Sequence, residues 1–103
     1  MLKLKESDLF DIIMKYCDAV FDHYVGYDSG FIIDSIYDEY ACNDKDKVQV
    51  IEKLLDKVEE LVRDDLVELY NDTRQKMYKI VEKATKHIKS LKLKNIVNGL
   101  EIE

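Results

Sequence analysis

The sequence predicts a mainly α-helical single domain of about four helices, and three observations carry that prediction. The first is helical periodicity: from Asp46 to Tyr70, apolar residues fall at Val48, Ile51, Leu54, Leu55, Val58, Leu61 and Val62. That three-and-four spacing lays one wide apolar stripe along a helix. The second is punctuation, since the chain has no Pro and only Gly26, Gly30 and Gly99, which suits helices joined by short connections better than a loop-rich or sheet-rich fold. The third is size and composition. One hundred and three residues, 47% of them hydrophobic, suffice for one core but not two, so residues 1–103 are read as one helical domain.

The first helix is expected from a cap at Ser7 to about Tyr24, with an inward stripe of Phe10, Ile13, Cys17, Val20, Phe21 and Tyr24 flanked by Leu9 and Met14. Asp8 and Asp11 suit the positive end of its dipole. Gly26 is a natural end for it, and Asp28 or Ser29 a natural start for the next helix. That second helix runs from Phe31 to about Ala41, with Phe31, Ile32, Ile36 and Tyr40 inward and Asp34, Asp38 and Glu39 outward.

Asn43 or Asp44 can cap the long central helix. Its end reads two ways. Leu66, Leu69 and Tyr70 keep the helical spacing; alternatively, Asp64 and Asp65 lie at the unfavourable negative end of a helix and stop it, leaving 66–70 as a strand. The second reading is slightly preferred. Asn71-Asp72-Thr73 forms a turn, and a last helix spans about Thr73 to Leu91 with Met77, Ile80, Val81, Ala84, Ile88 and Leu91 inward. After Asn98-Gly99 the tail alternates as a strand would, so residues 99–103 are the expected partner of 66–70 in a minor two-stranded element.

A helix through Ile51-Glu52-Lys53-Leu54-Leu55 that leads into Asp65-Leu66-Val67-Glu68-Leu69-Tyr70 resembles the third helix and following strand of winged-helix-like domains. A similar layout occurs in small bacterial toxin-immunity proteins, which neutralise secreted toxins. The resemblance covers residues 46–70 and implies a protein-binding inhibitor. The chain departs from a DNA-reading winged helix in carrying Asp34, Asp38, Glu39, Glu52, Asp56, Glu59 and Glu60 on its second and third helices, where phosphate contact would need Lys and Arg.

Charge is unevenly placed. Residues 1–46 hold eleven acids against four lysines, a net of −7; residues 47–73 add −4; residues 74–94, with Arg74, Lys76, Lys79, Lys83, Lys86, Lys89, Lys92 and Lys94 against Glu82, carry +7. Packing of the basic last helix beside acidic ones would offset these charges internally. The sharper reading assigns a partner-binding surface to Asp11, Tyr16, Asp18, Asp22, Tyr27, Asp34, Tyr37, Asp38 and Glu39. Tyrosine is a rigid amphipathic anchor at interfaces, and clustered carboxylates draw in a basic partner such as a toxin or nuclease domain.

The alternatives are a nucleic-acid-binding regulator using the lysine row and a helical oligomerisation module. The molecule's acidity disfavours nucleic acid. Asp18 and Asp22, and likewise Asp34 and Asp38, are four apart and could converge on a divalent ion, yet no comparable partner motif accompanies them. No cofactor, metal or catalytic group is expected: His23 and His87 are isolated, and no glycine-rich phosphate loop is present. No apolar run is long enough to span a membrane, and Lys and Glu interrupt the leading MLKLKESD, so a cytoplasmic location is expected. Cys17 and Cys42 lack metal-site spacing and are read as reduced, packed thiols.

Overall fold

The computed structural model describes residues 2–24, 26, 28–69, 75–90, 97 and 99–102; the side chains of Tyr24, Glu68, Leu69 and Gln75 are likewise outside the description. Among these residues the order is β1 (Leu2–Leu4), α1 (Glu6–Tyr24), α2 (Gly30–Tyr40), α3 (Lys45–Leu69), α4 (Gln75–Ser90) and β2 (Leu100–Ile102). Four helices and a minor two-stranded element are therefore present, as the sequence predicts.

α1 begins one residue before Ser7. Its start is held by a carboxylate rather than by the Ser7 hydroxyl: Asp8 Oδ2 accepts the Lys5 N–H at 2.9 Å, the backward half of a capping box. Gly26, at φ +91°, donates its N–H to the His23 carbonyl and turns the chain out of α1. Asp28 Oδ1 receives the Gly30 N–H at 3.0 Å, and Asp44 Oδ1 receives those of Asp46 and Lys47. Both acidic start signals thus act as short side chains satisfying helix-start donors.

α1 is the central element and packs against α2, α3, α4 and β1. Its buried residues are Leu9, Ile12, Ile13, Cys17 and Ala19, while Phe10, Val20 and Phe21 are only partly covered. The expected stripe is therefore rotated toward Leu9 and Ile12. A helix enclosed by three neighbours buries an arc wider than the single stripe that periodicity picks out. On α3, Ile51, Leu54, Val58 and Val62 are almost wholly buried, each contributing about 1.5–3 kcal/mol before conformational entropy is charged. On α4, Met77, Val81, Ala84 and Ile88 close the core. The ring of Phe10 meets Tyr78 at 5.5 Å and 59°, a tilted pairing of the kind aromatic quadrupoles favour.

Four further expectations need correction. Residues 66–69 continue α3, with Leu66 buried, because that apolar contact outweighs the few tenths of a kcal/mol to about one that an acidic last turn costs; Tyr70 lies outside the described residues. The partner of β2 is instead β1, in parallel, with Leu2 opposite Leu100 and Leu4 opposite Ile102. A parallel pair needs a crossover between its strands, and here all four helices supply it. Lastly, Phe31 is not inward but 69% exposed, and Cys42 is exposed at positive φ while Cys17 is buried.

Candidate functional site

The predicted acidic residues separate into three groups. Asp11 and Glu39 belong to the seam between α1 and α2. Lys15 Nζ lies 2.6 Å from Glu39 Oε2 and 3.3 Å from Asp11 Oδ2, and the Tyr40 hydroxyl donates to Asp11 Oδ2 at 2.7 Å. Hydrogen bonding to Glu39 raises the Lys15 pKa against an opposing desolvation, with Asp11 adding to the rise. Burial, then the bond to Asp11, pushes the Tyr40 phenol well above its ordinary value. These two carboxylates hold helices together, although each remains partly accessible.

The second group forms an outward face. Asp34 and Asp38 are exposed on α2, one turn apart with Phe31 on the same side, and make no ion pair among the described residues. Tyr37, between them in sequence, is half-buried toward α3; burial and then Glu52 and Asp56 raise its pKa. Tyr16 on α1 meets the same face of α3 further along. Burial, followed by Glu59, carries its pKa to about 12. Glu52, Asp56 and Glu59 recur at helical spacing on one side of α3, so Tyr16 and Tyr37 both look across at one carboxylate row. Glu59 is shared with Arg63 at 3.2 Å. Beneath Tyr16 a shallow groove of about 130 Å³ is lined by Val20, Val62 and Leu66 with Glu59 and Arg63 at its rim.

The third group stands apart. Asp18 and Asp22 are half-exposed on α1 and both have interaction partners. Tyr27 lies outside the described residues. Among the described residues no three His, Cys, Asp or Glu side chains come together as a cation site would need.

The basic helix does not cover the outward face of α2 through its resolved ion pairs. Lys89 reaches Glu6 at 2.7 Å, Lys83 approaches Asp65 at 4.0 Å, and Lys86 pairs with Glu82 on its own helix. Among the described residues, no helix is long and apolar enough to cross a membrane.

Comparisons with family models, curated proteins and solved structures find no match. The site must therefore be read from its own chemistry. Sequence reasoning brought Tyr16, Asp34, Tyr37 and Asp38 to the face and used the α3 acids only as an argument against DNA. The signal that could have placed them was the i, i+4, i+7 register of Glu52, Asp56 and Glu59 opposite two tyrosines.

Proposed function

We propose that this protein acts by binding another protein, as an inhibitor of the immunity type that covers a basic toxin or nuclease surface. The carrying observation is that Asp34 and Asp38 are exposed and without an ion pair among the described residues, beside a half-buried Tyr37 that borders Glu52 and Asp56. Such a face offers a basic partner charges not already used inside the fold, and an aromatic edge already held in place. Charge complementarity of this sort raises association rates above the roughly 10⁵–10⁶ M⁻¹s⁻¹ of neutral pairs. The residues proposed to carry it are Asp34, Tyr37, Asp38, Glu52 and Asp56, with Tyr16 and Glu59 extending it along α3.

The test is recovery of the partner on the tagged protein, with the product of the adjacent gene as first candidate, followed by stopped-flow association. Combined D34K, D38K, E52K and D56K should slow association at least about tenfold at low salt, and rising salt should slow the wild-type rate toward the variant's. Equal rates for the two proteins would remove this face from the mechanism.

A second reading has one observation in its favour. Lys79, Lys83 and Lys86 are exposed along α4, a row able to meet phosphates. A gel shift at low salt that vanishes steeply as salt rises would favour it.

A further inference from the structure

We infer that the groove between α3 and α4 is a docking site for a second copy of this chain, whose Phe31 side chain fills it. The groove has a volume of about 160 Å³, a floor of Leu61, Val62, Ile80 and Ala84, and a rim of Asp65, Lys83 and His87. An apolar cavity of about 150 Å³ accommodates benzene, so a phenyl ring is of matching size. Phe31 is the most exposed large apolar side chain among the described residues, at 69% against 57% for Tyr78 and 55% for Val67. Its own fold does not bury it, and the groove of its own molecule does not hold it.

Charge selects the same occupant. Phe31 shares its helix face with Asp34 and Asp38, three and seven residues on. The groove is bordered by Lys83, which is 79% exposed and only 4.0 Å from Asp65, with exposed Lys79 on the outer side of α4. A ring flanked by carboxylates thus faces a hole with the Lys83 ammonium on its rim and Lys79 one turn away on the same helix. Asp65 opposes the contact, and so does the net charge of −6, which makes the association weak. The contact joins two different surfaces; it closes as a dimer where each copy fills the other's groove and otherwise extends head to tail. It is independent of the inhibitor reading, although a basic partner on Asp34 and Asp38 would compete with it.

Sedimentation velocity of the whole protein, from about 10 μM to about 1 mM, tests the inference. The wild-type weight-average coefficient should rise with concentration. F31A should remain monomeric, and so should K79E/K83E; both alter exposed side chains, and circular dichroism checks that they fold. An equimolar mixture of the two should regain association as one-to-one complexes, because one variant keeps the groove and the other keeps the ring. Wild-type protein that stays monomeric throughout, or F31A that associates like wild type, would overturn it, and where the wild type extends head to tail so would a mixture that fails to recover.

Discussion

Substituting Tyr40 by Phe tests whether Asp11 works inside the fold. The change deletes only the hydroxyl that donates to Asp11 Oδ2 at 2.7 Å and leaves the ring in place. A hydrogen bond to a charged acceptor is worth about 1.5–3 kcal/mol when well shielded. Here the Asp11 side chain is 42% exposed and keeps Lys15 at 3.3 Å, so water and the ammonium replace part of the loss. The expected cost is about 1 kcal/mol once this screening is included. For a domain near 100 residues, that lowers Tm by about 4–8 °C. Urea unfolding of Y40F, D11A and the double variant should give a coupling of about 0.5–1.5 kcal/mol. Y40F within about 0.3 kcal/mol of wild type and additive with D11A would refute the seam. Asp11 would then count as an outward charge.

Three further expectations rest on separate parts of the fold. Ile88→Ala, at a wholly buried α4 position, should cost about 2–5 kcal/mol in urea unfolding, whereas Lys79→Ala should stay within about 0.5. Gly99 holds φ +87°, and an added Cβ would come 3.1 Å from Val50 Cγ2; Gly26 holds φ +91° with open space around it. Gly26→Ala should therefore cost about 1–2 kcal/mol from the backbone alone, and Gly99→Ala measurably more by the same assay. Alkaline pH should weaken the fold. Cys17 rises from 9.0 and Tyr16 from 10.0 to about 12, and Tyr37, Tyr40 and Lys15 also rise. Groups that bind protons more tightly when folded contribute stability below their unfolded values and lose it as pH climbs through the folded ones. The urea midpoint should hold up to about pH 9 and fall between pH 10 and about 12, less steeply in Y16F; a flat profile would contradict the burial of these phenols.

Much of this architecture is legible from residue spacing because apolar stripes and start signals act locally. The α3 stripe and the acids at Asp28 and Asp44 were readable for that reason. What was not readable depends on which neighbour a stripe meets. Leu2-Lys3-Leu4 alternates like a strand, yet three residues carry little signal until Leu100-Glu101-Ile102 lies alongside. Phe31 fits an inward stripe by period and by hydrophobicity, and only the packing of α2 on α1 turns it outward. Asp64 and Asp65 mark a helix end locally, and burial of Leu66 on the opposite side overrides them. The site follows the same division. Which residues are acidic or aromatic is visible in the chain, but whether an acid meets Lys15 or water is not.

Cation supply explains why an uncompensated face exists. Between Glu6 and Tyr40, Lys15 is the one lysine or arginine, against nine acids. It is already shared between Asp11 and Glu39, so it has nothing left for Asp34 or Asp38. The basic residues that could relieve them are concentrated on α4, whose packing is with α1 and α3 and whose resolved ion pairs end on Glu6, Asp65 and Glu82. Beside Tyr37 of α2, α3 presents the carboxylates of Glu52 and Asp56. Adding a cation where the shortage lies therefore gives a direct handle on the argument. Ser35→Lys, one residue from Asp34 and three from Asp38, supplies a local counter-charge without removing either carboxylate. A half-buried serine whose hydroxyl bonds only its own helix backbone at Ile32 leaves little packing to lose, so stability should change by no more than about 1 kcal/mol. Association with a basic partner should nonetheless slow at low salt and converge with wild type at high salt. A variant as fast as wild type at low salt would show that surplus charge on α2 does not govern recognition, and the tyrosines and the apolar groove beneath Tyr16 would have to carry it instead.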